Sequence, residues 1–301
     1  MKYITNEEII QQSISPAQCV EWVREAFCMK YESQLPPKIS LHPQGNDFFN
    51  TMPCILPSKY DRFSVKIVSR IAGNKPSLHS DLLLYEASSG KLLAFMDADW
   101  ITQMRTGAVA ALAIQTLQST NAQTYAFVGL GSTAIATMQC LLDILPANKQ
   151  IVCKLLKYKN HAEQFIDIFA KHTNVSFIIV ETHNELIQNS DVIISAVTDM
   201  PTLFCEEEKC FKEGVLVVPI HTKGFQNCDL FFDHIFADDT GHVAGFKYFN
   251  KFKRFNELSE VLLGKLPART HGNERILAYN IGLGLHDAFF ANKIFETYRS
   301  K

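Results

Sequence analysis

Between Gly129 and Ala134 the chain reads Gly-Leu-Gly-Ser-Thr-Ala, directly after the apolar run TYAFV and ahead of a helix-forming stretch. Small residues at this spacing, G-x-G-x-x-A, have a specific use. The first glycine permits a tight turn, and the second lets backbone N–H groups approach a pyrophosphate. A small third residue lets the helix pack close to the strand. The start of a helix near Ser132 adds partial positive charge toward phosphates. Gly129, Gly131, Ser132 and Thr133 are therefore candidate dinucleotide-binding residues.

A site for NAD(H) expects an Asp or Glu about 20 residues further on, to hold the ribose 2′-hydroxyl. From Ala147 to Ala162 there is no carboxylate; Lys154, Lys157 and Lys159 stand there instead. Lysine near that ribose favours a 2′-phosphate, so NADP(H) is expected ahead of NAD(H), with Lys157 as the contact. As solvated charges at a strand end, the same lysines would leave the choice open.

The elements that must position these groups alternate in a regular way. After Gln123 the short apolar runs TYAFVGL, QIVCKLL, VSFIIVE, DVIISAV, GVLVVPI and HIFADD are separated by helical segments or linkers. Such runs read as buried parallel strands with crossovers, a Rossmann-type doubly wound α/β sheet. Before Gln123 the pattern differs. Thr5 with Glu8 fits a capping box, and Ser15 with Pro16 fits a helix N-cap. Strand-like runs follow: KISLH, DFFNTMPC, FSVKIVSRIA, SDLLLYEA and KLLAFMDA, the last two joined by the hairpin signal SSG. RTGAVAALAIQTL, 105–117, reads as a helix, and GLGLHDAFFANKIFETYRS as a final helix that folds back on the first domain. The expected division is 1–118 plus 281–301, an N-terminal α+β domain completed by the C-terminal helix, and 119–280, the NAD(P)-binding Rossmann domain.

Composition narrows the partners. The net charge is −2, with 29 basic and 31 acidic residues, so nothing points to nucleic acid or an acidic membrane. No stretch approaches the ~20 apolar residues of a membrane span, and the acids in MKYITNEEII do not fit a secretion signal. A cytoplasmic protein is expected. The eight cysteines form no C-x-x-C pair and the ten histidines no H-E-x-x-H. No metal site is expected, and the cysteines read as buried free thiols.

MDADWITQMRTGAVAALA, residues 96–113, resembles the signature of the ornithine cyclodeaminase/mu-crystallin family, M-D-x-x-x-I-T-x-x-R-T-A-A before an alanine-rich helix and the glycine turn. MPC at 52–54 and VKIV at 65–68 extend the resemblance. It implies a homodimer whose first domain carries the substrate groups and helps form the subunit interface. Lys66 and Arg105 would hold the α-carboxylate of a small amino- or imino-acid substrate. Arg105 offers a two-pronged fork, and Lys66 sits among apolar residues that can bury its stem. Lys38, Asn50, Met52 and Gly282 would complete the substrate site. Thr106, Thr198, Ile220 and His221, with Arg105, would line the cofactor NADP (or NAD). Lys66, His221 and Lys223 are the candidate proton carriers.

Departures from the family pattern redirect the chemistry. Lys38 stands where many members have Arg, Asn50 where cyclodeaminases have Glu, and Thr133 where a Gln is usual. Leu156 replaces the acid that reads the ribose, and Lys223 replaces the Asp that serves ornithine cyclodeaminases as acid–base. What remains suits hydride transfer at the α-carbon: an NAD(P)H-dependent ketimine reductase or amino-acid dehydrogenase. Ornithine cyclodeaminase is the alternative. An NADPH-dependent small-ligand-binding protein without turnover is the third reading.

Overall fold

The computed structural model describes residues 1–197, 200 and 202–300. The chain divides into two compact units: Met1–Arg105 with Gly282–Lys301, and Thr106–Ile281.

The first unit is built on a six-stranded sheet, with strands β1 (Lys2–Ile4), β2 (Ile39–Leu41), β3 (Phe48–Ile55), β4 (Arg62–Arg70), β5 (Leu78–Glu86) and β6 (Leu92–Asp97) in the order β1-β6-β5-β4-β3-β2. β2 to β6 form an antiparallel meander, and β1 joins β6 in parallel. Helices α1 (Asn6–Ile10) and α2 (Pro16–Cys28) start as their caps require. Thr5 and Glu8 complete a reciprocal capping box, and the Ser15 hydroxyl accepts from the Gln18 N–H with Pro16 in the first turn. Alternation along the strands puts Met52, Lys66, Leu82 and Met96 in one cross-strand row, each buried. The helix Gly284–Arg299, α9 below, packs on this face against β3, β4 and β5 and brings Phe289 and Phe290 into the core.

Helix α3 (Asp99–Leu117) begins six residues before the expected start at 105. The Asp99 carboxylate accepts from the Ser80 N–H and the Asn6 side chain accepts from the Trp100 N–H, contacts that fix its first turn. The boundary between the units falls inside this helix, earlier than the expected 118/119. The cause is Gly107: a Cβ there would lie 2.5 Å from the Ala136 backbone, so the small-residue half of α3 packs into the second unit.

That unit holds eight parallel strands, β7 (Thr124–Val128), β8 (Ile151–Leu156), β9 (Val175–Val180), β10 (Val192–Ser195), β11 (Leu216–Pro219), β12 (His234–Ala237), β13 (Phe255–Glu257) and β14 (Ile276–Tyr279). Their order is β13-β12-β14-β11-β10-β7-β8-β9. Helices α4 (Ser132–Ile144), α5 (His161–Phe169), α6 (His183–Ile187), α7 (Thr240–Val243) and α8 (Leu258–Leu262) lie between strands, and α9 (Gly284–Arg299) follows in the first unit. β10, β11, β12 and β14 are buried throughout, as strands covered on both faces must be. β1, β13 and β14 were not expected.

The expectation for cysteine needs correction. Cys205 and Cys210 form a disulfide, because a loop closing over five residues brings their Cα atoms to 6.6 Å. Cys28 is exposed, whereas Cys19, Cys54, Cys140, Cys153 and Cys228 are buried free thiols. Among the described residues no helix is long and apolar enough to cross a membrane.

Candidate active site

In the first unit, β4, α3 and α9 bring three charged side chains to one point. Lys66 Nζ donates to Asp287 Oδ1 at 2.7 Å, and Arg105 Nε lies 3.0 Å from the same oxygen. The arginine N–H is not aligned for a hydrogen bond, so that contact is between charges. Lys66 and Asp287 are wholly buried, and Arg105 is 6% exposed. Such groups persist in a core only when paired.

The pairing is incomplete. Two cations share one carboxylate, so the trio carries an excess positive charge while Lys66 is protonated. Burial, then the Arg105 charge, pulls the Lys66 ammonium down to about 7; Asp287 works in the opposite direction. Burial opposes ionisation of Asp287, but Arg105 and Lys66 together hold it below its usual value.

The other substrate-site residues gather around this trio to different degrees. Met52 is the direct cross-strand neighbour of Lys66, and Asn50 lies two positions along the same face with a buried side-chain oxygen that has no partner among the described residues. Lys38 is close enough to lower Lys66 further. Gly282 has a positive φ of 96°, and a Cβ there would sit 2.4 Å from Arg105 Nη1. The glycine leaves room for the guanidinium's terminal edge, while Asp287 faces its Nε edge. Sequence reasoning misses Asp287, whose only local signal is an acid in the first turn of the C-terminal helix.

The second unit carries the glycine turn between β7 and α4. Gly129 has φ +78°, and a Cβ would fall 2.7 Å from the Ala196 and Val197 backbone, so the turn requires glycine. Around the Gly131 Cβ position nothing lies within 4 Å. Gly131 is also the N-cap of α4, with no side-chain cap bond, which leaves the first-turn N–H groups without a side-chain partner. Bare N–H groups beside an open glycine suit a pyrophosphate, so these residues fit a dinucleotide. Ser132 and Thr133 open that helix, and Thr106 lies on α3 beside Gly107.

His221 sits at the C-terminal end of the same sheet. The Ile220 N–H donates to the Ser195 carbonyl at 2.8 Å, and His221 Nε2 lies 2.6 Å from Ser195 Oγ. The Lys223 backbone N–H donates to His221 Nδ1 at 3.1 Å. An amide can only donate, so Nδ1 accepts and the proton of the neutral ring is on Nε2, directed at Ser195. Burial, then the Lys223 charge, depresses His221 to about 4. Both ring nitrogens are engaged and burial keeps the ring neutral near pH 7, an arrangement that also fits a structural role for His221. The Lys223 side chain is exposed.

At the far edge of the nucleotide half, Lys157 follows β8 and pairs with Glu181, the residue after β9, at 2.7 Å. The local sequence around β8 contains no acid, but the neighbouring strand supplies one. Lys154 instead donates to the Glu185 carbonyl at 3.0 Å. Thr198 lies outside the described residues. In the first unit His79, Asp97 and Asp99 each present a ligand atom within 4.8 Å of the others. No local motif marks this group, which comes from two strands and a helix start. The His79–Asp99 contact at 3.0 Å and the Ser80 N–H bond to Asp99 account for its arrangement.

A doubly wound sheet with a bare glycine cradle defines a dinucleotide-binding α/β protein, and its other unit holds a buried Lys–Asp–Arg trio. The chain belongs to the ornithine cyclodeaminase/mu-crystallin family, whose model matches residues 2–301. Its relatives include the ketimine reductase mu-crystallin of Macropus fuliginosus, 24% identical over 84% of this chain and 81% of the relative. The Delta(1)-pyrroline-2-carboxylate reductase of Bacillus thuringiensis is 23% identical over 78% and 77%. Among solved structures, the Thermococcus litoralis Delta(1)-pyrroline-2-carboxylate reductase with NADH and L-proline matches with a TM-score of 0.87 and 21% identity, covering 100% of this chain and 98% of that one.

Proposed function

We propose that this chain is an NAD(P)H-dependent oxidoreductase acting at the α-carbon of an amino or imino acid. The observation that carries the site assignment is the buried Lys66–Asp287–Arg105 trio with its excess positive charge. A nicotinamide cofactor supplies or takes the hydride when bound. This chain's own groups supply the rest. Arg105 directs its terminal nitrogens past Gly282 toward the substrate's α-carboxylate, and Lys38 and Asn50 border the same place. In the reducing direction Lys66 gives its proton to the imine nitrogen as hydride reaches the carbon, and it takes a proton back in the oxidising direction. A lysine pulled to about 7 is suited to both roles.

Family names of relatives include both reductases and cyclodeaminases, but Lys223 weighs against the latter chemistry here. Lys223 stands where the family resemblance puts the acid–base Asp of ornithine cyclodeaminases, and an ammonium does not offer the carboxylate which that chemistry uses. The test is a panel of Δ1-pyrroline-2-carboxylate, other cyclic imines, α-keto acids with amines, and L-ornithine, each with NADPH and NADH. Oxidation of NAD(P)H with an imine, lost in Lys66→Gln, is expected. Ammonia released from ornithine would instead make the chain a cyclodeaminase, and tight NADPH binding without turnover across the panel would make it a ligand carrier.

The homodimer is part of the proposal, and the opposite face of the first sheet supports it. Ile39, Leu41, Phe49 and Ile67 point away from the core with 58%, 63%, 41% and 37% of their surface exposed. Their register joins them: Leu41 opposes Phe49, and Thr51 lies between Ile39 and Ile67. A second copy of the chain is the occupant that the family relation suggests for this apolar face. Leu41→Glu with Phe49→Lys should yield a monomer by analytical ultracentrifugation; a monomeric unmutated chain would rule the dimer out.

A further inference from the structure

We propose that Asp287 is a positioning residue for the reaction, holding Lys66 in place as an ammonium and fixing which edge of Arg105 faces the substrate. The inference rests on the assignment of Lys66 and Arg105 to the substrate site. Asp287 reaches the trio from the first turn of α9, where the helix dipole favours a carboxylate. Its Oδ1 takes the Lys66 hydrogen bond at 2.7 Å and the Arg105 Nε contact at 3.0 Å. Its Oδ2 is buried and has no hydrogen-bond partner among the described residues. A carboxylate arranged this way costs desolvation without using all its acceptors, so its packing alone does not explain it.

Its electrostatic role does explain it. Lys66 and Arg105 lie on one oxygen, and with Asp287 removed two cations would face each other in a medium without water to screen them. Arg105 would also be free to turn its Nε edge, and with it the edge now lying against Gly282. With Asp287 present, the two cations keep fixed positions and the excess charge matches a single substrate carboxylate.

The groups that face the Lys66–Asp287 pair come from every element around it. Arg105 comes from α3, Asp287 and its neighbour His286 from α9, Cys54 from β3, and Lys38 from the segment before β2. β5 and β6 contribute only Leu82 and Met96 to its row. Among these, Asp287 alone raises the Lys66 pKa; Arg105 and Lys38 lower it.

The first readout needs no turnover. In full-length protein labelled with [ε-13C]lysine, the Lys66 resonance is the one that Lys66→Gln removes. It should titrate near 7 in the unmutated chain, and Asp287→Asn should move it down by about one pH unit or more. Asp287→Glu should return it most of the way. The second readout is kcat/KM against pH with Δ1-pyrroline-2-carboxylate and NADPH, where the alkaline limb should move in the same direction by the same amount. A role confined to packing would lower activity evenly at all pH and leave both inflections in place, which overturns the proposal. If Asp287→Asn does not fold, the double variant Lys66→Met with Asp287→Asn should, because it leaves Arg105 as the single excess positive charge that the unmutated trio also carries; failure of both variants to fold also overturns it. A Lys66→Gln protein with unmutated kcat/KM would reject the site assignment itself, a result separate from any behaviour of Asp287.

Discussion

His221 Nε2 lies 2.6 Å from Ser195 Oγ, and with the Lys223 N–H on Nδ1 the ring is held as the Nε2–H tautomer. These contacts let His221 brace β10 against the loop after β11. Its ring should stay neutral down to about 4. Long-range 1H–15N spectra should show the Nε2–H form from about pH 8 to about pH 5, with no inflection near the ordinary histidine value. Titration near that value would favour His221 as an acid or base.

Arg105 and Gly282 form a second testable pair. Arg105→Lys keeps the charge but loses the planar fork, so kcat/KM for the imine should fall about 30-fold or more, ~2 kcal/mol on the transition-state scale. NADPH affinity by calorimetry should change little. Gly282→Ala should act through the arginine, because the added Cβ would lie 2.4 Å from Nη1 at a φ of 96°. It should raise KM and lower stability by about 1–3 kcal/mol. A Gly282→Ala protein with unmutated KM would mean that the Arg105 edge is not used.

Cofactor choice turns on Lys157 and Glu181. Lysines without a local acid favour NADPH over NADH, yet Glu181 holds Lys157 at 2.7 Å and offers a carboxylate of its own. The pair is 44% and 65% exposed, so its strength is small. Glu181→Gln should therefore tighten 2′-phospho-ADP-ribose by only about three- to tenfold, while leaving ADP-ribose unchanged or weaker. Equal shifts for the two ligands would show that Glu181 does not reach the ribose.

What the sequence revealed and what it hid follow from distance along the chain. Gly129 and Gly131 stand out as a turn with fixed spacing and Lys66 as a charge interrupting an apolar strand, whereas Arg105, on α3, is marked by the resemblance of residues 96–113 to the family signature. Asp287 was not, since its partner Lys66 is 221 residues away and nothing local marks a first-turn acid as buried. Glu181 was missed for a related reason. Parallel strands place residues 24 apart side by side, so a search confined to the end of β8 does not meet it. β14 escaped because ILAY is only four residues long, yet it sits between β11 and β12 near the middle of the sheet. Short central strands are defined by their neighbours on both sides, and those contacts are non-local.

Asp229 gives the last prediction, on stability. Its carboxyl is 1% exposed, accepts from the Tyr279 hydroxyl at 2.9 Å, and is pushed up to about 7, with burial outweighing the Tyr279 bond. In the unfolded chain it would titrate near the ordinary aspartate value of 3.8. A folded pKa above the unfolded one means that its contribution is fully present below the unfolded value and is lost as pH rises through the folded one. Asp229→Asn keeps an oxygen for Tyr279 and removes the charge. The variant should therefore gain on the unmutated chain as pH rises, by about 2 kcal/mol more at about pH 8 than at about pH 5 in chemical denaturation. His221 and His234, both depressed to about 4, lose stability as pH falls below the ordinary histidine value, but they do so equally in both proteins and cancel in the difference. An offset between the two proteins that does not vary with pH would mean that Asp229 is not buried as a carboxylate whose ionisation costs stability.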